Sequence, residues 1–238
     1  MRRTGVPPPP AASPATDVDA ATALLGRLAA VTFIVIDFEA LTPAGRPAEP
    51  TEIAAIALGQ QDGQLAEQAR FAELIRPPAE VPVTAFDQRV TGITAQMLDT
   101  ARPAALVLAD LDQHLGTSPC RLVAHHAPTE AGLIARQRQH CPVLATTPLV
   151  DTVRMARAVI PHLSSYRLDE VLRYYRIPRP AGRHRAMPDA EVTAEIFRRL
   201  LADGARLGLW ATLTDLDAAA GLQPKAAPAR DLIQEPLF

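Results

Sequence analysis

Two carboxylates stand two residues apart where an apolar run ends, in Thr32-Phe33-Ile34-Val35-Ile36-Asp37-Phe38-Glu39. A short apolar run rich in β-branched residues reads as a buried strand, and on a strand residues i and i+2 point to the same side. Asp37 and Glu39 then present paired anionic oxygens at the end of a core strand. Such pairs hold hard divalent cations like Mg²⁺ and Mn²⁺. The plain alternative is a strand that runs out into a polar loop. Glu130 heads the set Glu130, Leu133, Ile134 and Gln137, one mostly apolar helix face. A carboxylate there is unusual without a partner. Asp189 shares a helix face with Val192, Ile196 and Leu200, the alternative being a simple N-cap. His184 precedes Asp189 by five residues. An imidazole titrates at about 6.5, which suits proton abstraction from water; otherwise His184 is a surface residue of its loop.

The elements that must carry these residues follow from periodicity and turn chemistry. Residues 17–30 predict a helix with a stripe that includes Leu24, Leu25 and Leu28. After the strand at Thr32 comes a Pro/Gly turn over 42–50, then strands over 52–58 and 71–76, together an antiparallel three-strand meander. Thr91-Gly92-Ile93-Thr94 opens a short helix, and 103–115 is helical with Leu108, Leu111 and Leu115 on one face. Residues 121–125 read as a strand and 128–139 as a helix with proline in its first turn. A further short strand closes at Val150-Asp151-Thr152, followed by helices over 151–159, 165–176 and 189–202. This order predicts an α/β fold, a mixed central sheet of meander plus parallel strands flanked by helices. The Pro-rich residues 1–16 and the Pro/Ala-rich residues 221–238 read as flexible tails around a domain over 17–220.

Hydrophobic residues make up 48% and charged residues 21% of the 238, a soluble globular composition. No apolar stretch approaches the roughly 20 residues that span a bilayer, and the N-terminus lacks the apolar core of a signal peptide. The two cysteines, Cys120 and Cys141, lack metal-type spacing and read as reduced thiols in a cytoplasmic protein. The net charge of −2 hides an asymmetry. Residues 121–199 hold 13 Arg against 7 acids, while the rest holds 11 basic and 19 acidic residues. A basic segment that also carries acidic ligands suits a polyanionic substrate. The competing reading is an Arg-rich composition, since Lys225 is the only lysine among 24 basic residues. Aromatic content is 4%, and Tyr166, Tyr174 and Tyr175 fit a core better than a base-stacking platform.

In order and spacing these motifs resemble the DEDDh family of 3′→5′ exonucleases, which includes proofreading subunits of bacterial replicative polymerases and RNase T-like enzymes. Asp37 and Glu39 match the Asp-x-Glu strand end. His125-His126-Ala127-Pro128-Thr129-Glu130 aligns with a His-Asn-Ala-x-Phe-Asp motif. His184, Asp189 and Ala190 match His-x-x-x-x-Asp-Ala, and Thr91-Gly92-Ile93-Thr94 and Asp151-Thr152 resemble two more recurring elements. The resemblance covers about residues 31–203. It implies a ribonuclease H-like fold and two-metal-ion phosphodiester hydrolysis with two Mg²⁺ or Mn²⁺ ions. Asp37 would bridge the metals, Glu39 and Asp189 would hold one, Glu130 would support the other, and His184 would be the general base. Phe38, Ala40, Thr91, Ile93 and His126 would face the substrate, single-stranded nucleic acid or a 3′ end of DNA or RNA, and nucleoside 5′-monophosphates would leave.

The departures are Glu130 for the usual Asp, His126 and Thr129 for the usual Asn and Phe, and Ala40 where many members have Thr. They support the other reading, an exonuclease-like nucleic-acid-binding module with weak or lost catalysis. The terminal Gln234-Glu235-Pro236-Leu237-Phe238 resembles the Gln-x-x-Leu-Phe peptides that bacterial replication and repair proteins insert into the sliding clamp. The alternatives for this tail are docking on its own domain and simple fraying.

Overall fold

A computed structural model describes residues 14–115 and 119–225. The proline run and the Gln234–Phe238 peptide lie outside the described residues. Helix α1 (Pro14–Arg27) leads into the meander β1 (Thr32–Leu41), β2 (Glu49–Gln61) and β3 (Gln64–Arg76). Two short helices, α2 (Ala85–Thr91) and α3 (Ala95–Asp99), and the bridge strand β4 (Arg102–Pro103) precede α4 (Ala104–His114). Then follow β5 (Cys120–Ala124), α5 (Pro128–Arg136), α6 (Pro142–Thr146), β6 (Leu149–Asp151), α7 (Thr152–Val159), α8 (Leu168–Tyr175) and α9 (Ala186–Arg206). Helix α10 (Leu213–Ala220) and β7 (Gly221–Leu222) end the described chain.

The sheet runs β4-β3-β2-β1-β5-β6-β7. Strand β1 pairs antiparallel with β2 and parallel with β5, so it sits where the sheet changes from meander to parallel strands. Its alternation assigns the two faces. Phe33 and Val35 pack with α9 residues such as Ile196 and Phe197, while Ile34, Ile36 and Phe38 pack with α4 and α5 residues such as Leu108 and Ile134. A strand buried on both faces reads as a continuous apolar run, which is why Thr32–Ile36 carries no polar alternation. The parity then places Asp37 and Glu39 on the α9 face.

The meander, the mixed sheet and the flanking helices stand as the sequence predicts. Several elements differ. Helix α2 went unanticipated because it buries no residue and so has no apolar stripe. It is defined by its ends: a capping box between Thr84 and Asp87, and Gly92 in the left-handed region at φ 71°. The Thr91–Thr94 stretch opens a short helix as expected, with Thr94 capping α3, and it also closes α2. Helix α9 starts three residues before Asp189, because Pro188 in a first turn lacks only an N–H that has no intrahelical acceptor. Gly221 and Leu222 pair with β6, extending the sheet into the stretch read as a tail. Among the described residues no helix is long and apolar enough to cross a membrane. Both cysteines are free, Cys141 buried and Cys120 partly so.

Candidate active site

Pairing between β1 and β5 stops at Val35 and Val123. Beyond it β1 continues on β2 alone, past the carboxyl ends of the parallel strands, the end at which open α/β sheets bind ligands. Asp37 and Glu39 stand at this end of β1. Asp189 comes from the first turn of α9, and Glu130 from the first turn of α5.

Glu39, His184 and Asp189 each offer a ligand atom, and the three atoms lie within 4.8 Å of one another. Asp37 and Glu130 stand outside this trio but within its electrostatic reach. Burial, then the charges of Glu130, Asp189 and Glu39, hold the Asp37 carboxyl well above the usual range, with Arg183 opposing. Burial, Asp189 and Glu52 push Glu39 up to about 7. Glu130, 5% exposed, is pushed up to about 8 by burial and by the charges of Asp151 and Glu39. Burial also raises Asp189, against the pull of Arg183 and His184. Four carboxylates that resist ionisation together are a site short of positive charge.

The fit of a divalent cation can be judged from the bonding. Oε2 of Glu130 and Oδ1 of Asp189 are buried with no hydrogen-bond partner. Buried polar atoms are nearly always paired, and an oxygen-rich acidic cluster with orphaned oxygens is the donor set that Mg²⁺ and Mn²⁺ prefer. The residues therefore fit the metals. Oδ2 of Asp189 is partnered: it accepts from Arg183, which also donates to Asp169 at 3.0 Å, and from the His184 N–H at 3.3 Å.

The expected substrate residues fall into three groups. Ala40, Thr91 and Ile93 line one small cavity with Leu41, Val83 and Asp87, next to Glu39. Thr91 shapes it, donating to the Asp87 carbonyl at 2.9 Å and accepting from the Ile93 N–H at 3.0 Å. His126 is exposed at φ 76°, with its ring on the Thr129 hydroxyl at 3.2 Å. The Phe38 side chain turns to the opposite face and is buried with Ile34 and Ile36. His125 is part-buried and structural: its Nε2 meets the Tyr166 carbonyl at 3.0 Å, and desolvation pulls its pKa down to about 4. Tyr166 and Tyr175 pack on the core, and the Tyr175 hydroxyl donates to Asp203 at 2.7 Å.

Sequence reasoning noted Asp151 only as part of a recurring Asp-Thr element and missed the other residues that hold the site together. Asp151 caps α7 through the Val153 N–H at 2.9 Å and also accepts the His126 N–H at 3.2 Å. Of the two arginines flanking His184, Arg185 pairs with Glu52, and Arg183 bridges Asp169 and Asp189. The signal for Glu52 was present, a lone acid at the head of the apolar run Ile53–Leu58. Glu52 and Arg185 stand 133 residues apart, so their pairing leaves no local spacing.

Residues 34–197 match the RNase T exonuclease family. The chain is 31% identical over 171 residues to 3′-5′ exonuclease DinG of Bacillus subtilis, covering 71% of this chain and 17% of that one. It is 30% identical to DNA polymerase III subunit epsilon of Aquifex aeolicus, covering 71% of this chain and 80% of the subunit. It spans only 12–17% of the length of the longer relatives, PolC-type polymerase and DinG. The nuclease domain of 3′hExo, a DEDDh family member solved bound to rAMP, superimposes with a TM-score of 0.61. That likeness is 21% in sequence and covers 74% of this chain and 94% of that one. The match over residues 34–197, a stretch that holds Asp37, Glu39, Glu130, His184 and Asp189, makes this chain a member of the RNase T exonuclease family.

Proposed function

We propose that the chain is a metal-dependent 3′→5′ exonuclease that releases nucleoside 5′-monophosphates from DNA or RNA ends. The observation that carries this is the convergence of Glu39, His184 and Asp189 within 4.8 Å, beside buried carboxylate oxygens without partners. Asp37, Glu39, Glu130 and Asp189 would hold two Mg²⁺ or Mn²⁺ ions, which neutralise charge developing on the phosphate in such sites. His184 takes the proton of the attacking water. The new P–O bond forms to that water as the bond to the 3′ oxygen of the preceding nucleotide breaks. The cavity at Ala40, Thr91 and Ile93 seats the terminal nucleotide, and His126 stands exposed near the strand's path. Glu130 supports activity over a binding-only role: it is buried with a free oxygen, as a ligand would be.

The same reading places the enzyme in the cytoplasm, with single-stranded nucleic acid or 3′ ends as partner and the Gln234–Phe238 peptide on a sliding clamp. The test is digestion of 5′-labelled single-stranded DNA and RNA with Mg²⁺ or Mn²⁺ or with chelator, beside a 3′-blocked control. Mononucleotide release that needs the metal and an open 3′ end is expected, and Asp37→Asn should abolish it. Internal cleavage of the blocked strand, or full activity in chelator, refutes the reading. For the tail, a labelled peptide of residues 228–238 should bind the clamp and lose binding after Leu237→Ala and Phe238→Ala.

A further inference from the structure

Glu52 is a buried carboxylate that the proposed chemistry leaves unused. It is 6% exposed on β2 and directly faces Glu39 in the antiparallel register, so both side chains lie on the same side of the sheet. Unlike its neighbours it is fully bonded. Nε of Arg185 donates to its two oxygens at 3.2 and 3.0 Å, and Nη2 donates to Oε1 at 2.6 Å. The Ala186 N–H donates to Oε2 at 2.9 Å.

Both donors belong to the start of α9. Arg185 is its N-cap residue and Ala186 its first residue. An arginine side chain carries only donors and cannot cap its own helix. A free N–H of α9 is met instead from across the fold, and an anion at that end also suits the helix dipole. His184 immediately precedes the pair and holds φ at 65°, a left-handed conformation uncommon for a non-glycine residue. Such a conformation persists where its surroundings over-determine it. Here the His184 N–H is tied to Asp189, and the next two residues are tied to Glu52.

We propose that Glu52 is a positioning residue: with Arg185 it clamps the His184 turn to β2 and so sets the imidazole against Glu39 and Asp189. The inference rests on the reading of His184 as the general base. A side chain displaced by about 1 Å can cost about 100-fold in rate, so the clamp matters well beyond its own bonds.

The test uses Glu52→Gln in the full chain. Its amide oxygen can still accept the Ala186 N–H, but the charge that grips Arg185 is gone. Amide hydrogen exchange in the metal-free protein should quicken about 10-fold or more over residues 183–186, with the core of α9 unchanged. With Mg²⁺, kcat should fall about 10–100-fold while KM stays within about 3-fold. In a His184→Ala background the same substitution should change kcat less than about 2-fold, because the group being positioned is absent. Unchanged exchange at 183–186 overturns the clamp. An equal loss of kcat with and without His184 overturns its role in positioning the imidazole. A wild-type chain that degrades no 3′ end instead defeats the exonuclease reading, and the exchange measurement then decides the clamp alone.

Discussion

Glu130 allows the electrostatic argument to be tested without substrate. Its carboxyl is 5% exposed, has an oxygen without a partner, and is pushed from an ordinary 4.5 to about 8. The folded state therefore binds this proton more tightly than the unfolded chain does. In metal-free protein the contribution of Glu130 to stability is best below pH 4.5, falls as pH rises from there to about 8, and is flat above. Each pH step across that window costs about 1.36 kcal/mol, so the ceiling is roughly 5 kcal/mol. Relaxation and water entry lower it, and about 2 kcal/mol is a fair expectation. Glu130→Gln removes the charge and keeps the shape. At about 2–4 °C per kcal/mol for a chain of this size, it should raise Tm by about 4–8 °C at pH 9 in chelator. Near pH 4 the two proteins should melt together, because wild-type Glu130 is then neutral as well. Added Mn²⁺ should stabilise the wild type more than the variant. Scanning calorimetry at both pH values, with and without metal, measures all of this. Equal melting at pH 9 in chelator would refute the claim that Glu130 is a strained, charge-starved ligand.

Further outcomes follow from the same geometry. His184→Ala should lower kcat by about 10²–10⁴ and flatten the acid limb of the rate profile, as steady-state kinetics across pH will show. Glu130→Asp should keep metal-dependent activity, while Glu130→Ala loses most of it. Parallel nuclease assays of the two variants check the side-chain reach at this position. Gly204→Ala should destabilise the fold by about 3 kcal/mol or more, because a Cβ there would come within 1.9 Å of the buried Trp210 ring; urea melts measure it.

The sequence by itself determined the parts that repeat locally. The apolar run Thr32–Ile36 specified a strand buried on both faces, and its two terminal acids had to share a side. The stripes Leu133 and Ile134 on α5, and Val192, Ile196 and Leu200 on α9, specified which way those helices face. With them came the inward aim of Glu130 and Asp189, since a residue on a buried stripe shares its fate. Helix α2 was invisible for the converse reason: it buries nothing, and only its caps mark it. What only the tertiary structure decided is how separate stripes meet. Register sets Glu52 against Glu39, and a bond between residues 133 apart in the chain ties it to Arg185. No local spacing encodes such a pairing. Phe38 shows the same limit from the other side. It lies between two acids of the site, yet the pleat of β1 turns it into the opposite core, because neighbours on a strand point to opposite faces.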